Sequence, residues 1–200
     1  MSLLEWLALA GLCFLGAASP GPSLAVVVEQ TMKGGRPQGS ITAIAHGVGV
    51  GVYALLAALG LAIIVQQTPW LFDGLRWLGA AFLLFLAYKS FAEPANFSAE
   101  DAHDVSGREG VVIGFLTAFL NPKLAIFFLA VYTQFITPET AIAEKLGMAG
   151  VSALVDALWY LVIVLMVSHP AVMQRLQRNA DRLQKGFGVL LVLVAIRVVV

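Results

Sequence analysis

Apolar residues along this chain collect into six long runs separated by short polar stretches. They run roughly from Leu3 to Thr31, Ser40 to Val65, Pro69 to Phe91, Val111 to Phe135, Leu146 to Val167 and Asp181 to Val200. About 20 apolar residues in helical conformation cross a ~30 Å hydrocarbon layer, so each run predicts one membrane-spanning helix. In the sixth, the clean apolar core starts only at Phe187, and Arg197 sits close to the end, where its long stem can carry the charge to the interface. Two runs are interrupted from within. Ala18-Ser19-Pro20-Gly21-Pro22 falls inside the first and Asn121-Pro122-Lys123 inside the fourth. Proline donates no backbone hydrogen bond and glycine relaxes the dihedral limits, so both sites predict a helix broken in its middle.

The longest polar connection, residues 92–110, falls at the midpoint and reads as a solvated linker rich in Glu and Asp. Three runs precede it, within residues 1–91, and three follow it, within 111–200. An odd number of spans per half forces opposite orientations. Gly11 lies nine residues before Pro20 and Gly114 eight before Pro122. The expected architecture is an all-α membrane protein of six transmembrane helices, arranged as two inverted three-helix repeats with helices 1 and 4 broken by proline motifs.

Charge then orients the chain. Lys33, Arg36, Lys89, Arg108, Arg175, Arg178, Arg182 and Lys185 follow the odd-numbered spans, whereas Arg76, Lys145 and Arg197 lie on the other side. The positive-inside rule puts the first group in the cytoplasm and both termini outside. The first apolar run carries Glu5 and no Lys or Arg before Lys33, unlike a secretory signal, so it is expected to be retained. With 60% hydrophobic and 12% charged residues, no ordinary soluble domain is described, and a net charge of zero offers no field for nucleic acid. Cys13, the only cysteine, excludes an intrachain disulfide and multi-cysteine metal sites. No Gly-rich phosphate loop or His/Cys cluster occurs, so no metal, cofactor or enzymatic activity is expected and any transport is secondary.

Several residues inside the runs are too polar to be ignored. A broken helix aims the unpaired amides of its second half at the break, with partial positive charge. Those amides belong to Ser23, Leu24 and Ala25 at the first break and to Lys123, Leu124 and Ala125 at the second; Ser19, Ser23 and Asn121 add side-chain groups. The pair of breaks favours a carboxylate site over two simple proline kinks. Lys123 and Asp156 both fall near mid-membrane, where an unpaired charge costs at least ~2.5–3.5 kcal/mol. Each is the candidate partner of the other, as a structural ion pair or as part of a pathway. Thr42, His46 and Tyr53 share a face of the second run, and His46 serves either proton coupling or an interhelical hydrogen bond. Glu29 forms either a gate or a surface pair with Lys33 or Arg36. Gly39, Ala43, Gly47 and Gly51 make a small-residue stripe for close approach of another helix, from the same chain or from a second copy in a homodimer.

Taken together, Ser19-Pro20-Gly21-Pro22, the Gly34-Gly35-Arg36 turn, the Gly-rich second run, the stretch from Gly114 to Lys123, and Asp156 with Trp159 resemble the LysE/RhtB family of amino-acid exporters over essentially the whole chain. The resemblance implies a six-helix carrier in the bacterial inner membrane that expels amino acids or close derivatives by proton antiport. Its motif positions carry over as Pro20, Gly21, Pro22, Asn121, Pro122, Lys123 and Asp156; His46 stands where some relatives place an acidic residue. The expected partners are an amino acid, protons and the lipid bilayer. Substrate binding is assigned to Ser19, Pro20, Gly21, Pro22, Ser23, Leu24, Asn121, Pro122, Lys123 and Asp156, and proton coupling to Asp156, His46 or Glu29. A membrane channel or a non-transporting membrane scaffold is the alternative.

Overall fold

The computed structural model describes residues 1–19, 21–92 and 107–169, with further positions scattered between 178 and 196. Pro20, most of the linker expected at 92–110 and much of the run expected at 181–200 lie outside the described residues, as do the side chains of Arg76, Lys89 and Pro122. Every described element is a helix: α1 (Leu3–Ala18), α2 (Pro22–Gln67), α3 (Pro69–Ala92), α4 (Gly107–Phe119), α5 (Pro122–Tyr132) and α6 (Ile142–Val167).

Local chemistry sets these boundaries. Ser2 and Glu5 cap α1 reciprocally, the Ser2 hydroxyl accepting from the Glu5 amide at 3.3 Å and the Glu5 carboxylate from the Ser2 amide at 2.6 Å. The helix stops at Ser19, whose extended backbone (φ −68, ψ 133) is the conformation favoured before a proline. Pro22 then opens α2 at the first helical position, where its missing N–H costs nothing. At the other break Asn121 caps α5 through its side chain, again with proline in first place. Helices α4 and α5 meet there with a bend of 53°.

Helix α2 is two arms joined at Gly35, whose φ of 70° favours glycine. Gln38 Nε2 donates to Gln30 Oε1 at 3.0 Å. On a straight helix residues eight apart are separated by ~12 Å, so the chain must fold back at this point. The second arm is held between two other helices. A methyl group on Gly47 would sit 2.7 Å from Ala157 Cβ on α6, and one on Gly49 would sit 2.7 Å from the Phe115 carbonyl on α4. The small-residue stripe is therefore occupied by α6 of the same chain, with Gly51 against Ala153 extending the contact.

The distribution of polarity is that of a protein in lipid. On α6, Leu146, Leu154, Leu158, Val162 and Leu165 point outward, while Ser152, Asp156 and Tyr160 are buried on the opposite face. Thr42 and His46 are fully buried on α2, and Ile44, Val48 and Val52 are exposed. Water would favour the reverse; hydrocarbon favours this arrangement. By length and composition, the segment Pro22–Ile64 of α2 and helix α6 can cross a membrane, and the bent pair α4 and α5 can form a third span.

Candidate functional site

The two helix breaks lie against each other. Asn121 Nδ2 donates to Ser23 Oγ at 3.2 Å, and Lys123 Nζ donates to Ser19 Oγ. A Cβ built on Gly21 would meet Lys123 Nζ at 3.3 Å, so the absence of a side chain there leaves room for the ammonium. Ser19, Ser23 and Asn121 are buried, and Leu24 packs with Val27, Val28, Ala43 and Tyr160 in a small apolar cluster below the first break. A cation and several hydrogen-bonding side chains thus converge where two helices begin.

The two breaks are not equivalent in their amides. At the second, the Asn121 carboxamide accepts from the Lys123 amide at 3.0 Å, and the Ala125 amide bonds the Asn121 carbonyl at 3.1 Å. At the first, the Ala25 amide likewise bonds the Gly21 carbonyl at 3.1 Å, but Gly21 supplies no side-chain cap. The Ser23 and Leu24 amides precede that first backbone bond and have no intrahelical acceptor. Of the amides named from the sequence, those of Lys123, Ala25 and Ala125 are consumed locally. The first break is the better donor pair.

Asp156 is not paired with Lys123, contrary to the expectation from depth alone. Its Oδ2 lies 2.7 Å from His46 Nδ1, with both groups buried. The reason is helix packing: the Gly47 and Gly51 face brings α6 onto the second arm of α2, so Asp156 meets the histidine of that arm. Lys123, at the start of α5, is drawn instead to Ser19 at the end of α1. An ionised Asp156 accepts from a protonated Nδ1 in this geometry, and Nε2 is the second ring position. Nε2 is buried and has no partner among the described residues, as is also true of Trp159 Nε1. An unsatisfied buried polar atom costs about 1–3 kcal/mol, so each of these nitrogens calls for a partner that the described residues do not supply.

Further residues belong to this polar interior. Tyr160 sets its ring edge-on to His46, with centroids 5.0 Å apart and planes at 83°. Ser152 accepts or donates at 2.8 Å to the Tyr132 hydroxyl and lies 3.3 Å from Cys13 Sγ, joining α5 and α1 to α6. Ser152, Asp156 and Tyr160 recur at i, i+4 and i+8, so one helix face carries them all, and that spacing is the sequence signal for the two outer members. Gln30 and Gln38 are buried near the fold-back of α2. Glu29 lies toward the rim, where Lys33 Nζ donates to it at 2.5 Å and both groups are partly exposed. Pro20 lies outside the described residues, while Pro22 and Pro122 start their helices.

Comparison with known proteins places this arrangement. The family model of the LysE type translocators matches residues 14–200. The chain is 25% identical over 202 residues to the uncharacterized membrane protein YrhP of Bacillus subtilis, covering 96% of this chain and 95% of that one. It is 31% identical to the uncharacterized membrane protein PA4757 of Pseudomonas aeruginosa, over 86% and 84% of the two chains. A threonine efflux protein of Salmonella typhimurium is 25% identical, over 88% and 91%. No solved structure matches. A helical chain with its polar side chains turned inward and its apolar ones outward is what a translocator requires, and this chain belongs to the LysE type translocator family.

Proposed function

We propose that this protein exports amino acids or close derivatives across the bacterial inner membrane as a secondary carrier driven by proton antiport. The observation that carries the reading is the meeting of the two breaks through Asn121 with Ser23 and Lys123 with Ser19. In this scheme the six predicted spans form two inverted halves, residues 1–91 and 111–200, with the linker and its basic flanks in the cytoplasm and the termini outside. The substrate carboxylate binds between the breaks, held by the Ser23 and Leu24 amides of one and the Lys123 ammonium of the other. Ser19 and Asn121 exchange their present bonds for bonds to substrate. Gly21 leaves space beside the cation, and Pro20, Pro22 and Pro122 keep each helix from closing over its own amides.

The proton travels on a separate element. In the proposed cycle His46 and Asp156 share one proton and accept a second at Nε2. Uptake of that proton from outside and its release to the cytoplasm accompany movement of substrate in the other direction, with no covalent bond made or broken. Glu29, tied to Lys33 at the rim, takes no part. Threonine is the first substrate to test, because one relative is named a threonine efflux protein.

Counterflow in proteoliposomes decides the matter. Liposomes loaded with unlabelled threonine, or with other amino acids in turn, should accumulate labelled substrate transiently and saturably. Net flux should also respond to an imposed pH gradient. Flux that never saturates, or saturable flux indifferent to the pH gradient, would overturn the carrier or the coupling respectively.

A further inference from the structure

The proton pair and the breaks are separate sites in sequence, and coupled exchange requires that occupancy of one be felt at the other. Tyr160 is placed between them. It is buried, its ring stands edge-on against His46, and it packs in the same apolar cluster as Leu24, the residue after Ser23. Ser23 is itself buried beside that cluster, one residue before Leu24. Ser23 in turn accepts from Asn121 across the breaks. A series of buried neighbours therefore runs from the cap of α5, through the first turn of α2, to the ring that stands edge-on against His46.

We propose that Tyr160 is the positioning residue that couples the substrate site to the His46 and Asp156 pair. The inference rests on the carrier reading given above. When substrate displaces the Asn121 to Ser23 bond, the Ser23 hydroxyl is freed to turn toward Tyr160. The ring then moves against His46 and alters how readily Nε2 holds a proton. The groups facing His46 are Asp156 and Tyr160 on α6; Cys13 on α1 lies against Ser152, one turn before Asp156, and the Lys123 charge lies across the breaks with Ser19. Tyr160 touches neither substrate nor the transferred proton in this scheme, so it acts only through its neighbours.

Tyr160→Phe keeps the ring and removes the hydroxyl, which makes it the discriminating variant. Counterflow without a pH gradient needs no net proton movement and should remain within about twofold of wild type. Stimulation of net flux by a gradient of about one pH unit, worth 1.36 kcal/mol per proton, should fall to less than a third of the wild-type response. Wild-type stimulation in this variant overturns the proposal. Absence of counterflow or of gradient response in the wild type instead overturns the carrier reading, so the two failures are told apart. Should the variant fail to fold, a chain that keeps Tyr160 still decides. With His103 and His169 replaced by Gln, the ¹⁵N spectrum reports His46 alone, and saturating threonine, or whichever amino acid gives the fastest counterflow, should move its titration midpoint by about half a pH unit or more. A midpoint unmoved by substrate overturns the coupling.

Discussion

Asn121 Nδ2 lies 3.2 Å from Ser23 Oγ although 98 residues separate them in sequence. The same carboxamide caps α5 through its oxygen, at 3.0 Å from the Lys123 amide. One side chain thus starts one half-helix and touches the start of another. These two duties can be separated by substitution. Asn121→Ser keeps a capping hydroxyl but not the reach across the breaks, so thermal stability in detergent should stay near wild type while counterflow falls. Asn121→Ala loses both, and a melting measurement should show an additional loss of about 1–2 kcal/mol.

Lys123 occupies the middle of the proposed site as a half-buried cation hydrogen-bonded to Ser19. Lys123→Met retains the length and apolar character of the stem without the charge. It should insert and fold at least as well as wild type, because no ammonium has to be desolvated, yet lose about 1.4 kcal/mol or more of substrate affinity, a tenfold effect. Counterflow at several substrate concentrations and a melting curve on the same preparation check both halves.

The His46 and Asp156 pair predicts a double-mutant cycle. Removing one partner strands the other in a buried site, so His46→Gln or Asp156→Asn alone should destabilise by about 3–5 kcal/mol. The double replacement leaves two neutral amides that can bond each other and should recover most of that stability. It should not recover the response of flux to a pH gradient. Unfolding of all four proteins under one condition yields the coupling energy.

Helix spacing supplies the next test. A methyl at Gly47 would lie 2.7 Å from Ala157 Cβ and 2.9 Å from the Ala153 carbonyl, whereas one at Gly150 meets nothing within 4 Å. Gly47→Ala should therefore destabilise by about 1–3 kcal/mol through forced separation of α2 and α6. Gly150→Ala should be neutral or stabilising by up to about 1 kcal/mol. Melting temperatures of the two variants should move in opposite directions or differ by that margin.

Much of this was written locally in the chain. Both breaks are legible because proline removes a donor wherever it stands, and Asn121 and Ser2 announce helix starts by residue type alone. The buried polar residues were legible singly, since His46, Lys123 and Asp156 have no place in an apolar run without a reason. Their pairing was not, because depth in the membrane does not determine which helix faces which. That choice was made by the absence of side chains at Gly47 and Gly49, which set α6 and α4 on opposite faces of the same arm. Ser152 and Tyr160 carried a readable signal, their spacing from Asp156. Gln30 and Gln38 acquire meaning only once the fold-back at Gly35 brings them together.

One substrate carboxylate that spans both breaks must lie close to each, and both distances can be measured. Solid-state NMR on wild-type protein in bilayers, with the carboxylate of bound threonine, or of the best counterflow substrate, labelled with ¹³C, can read dephasing by ¹⁵N in two preparations. One carries ¹⁵Nζ-lysine and the other ¹⁵N-serine amides. Distances of about 4 Å should appear in both, as hydrogen-bonded carboxylates require, with the lysine signal lost in Lys123→Met and the serine signal lost in Ser23→Ala expressed with the same label. A carboxylate close to lysine only, to serine only, or to neither would contradict a site shared between the two breaks.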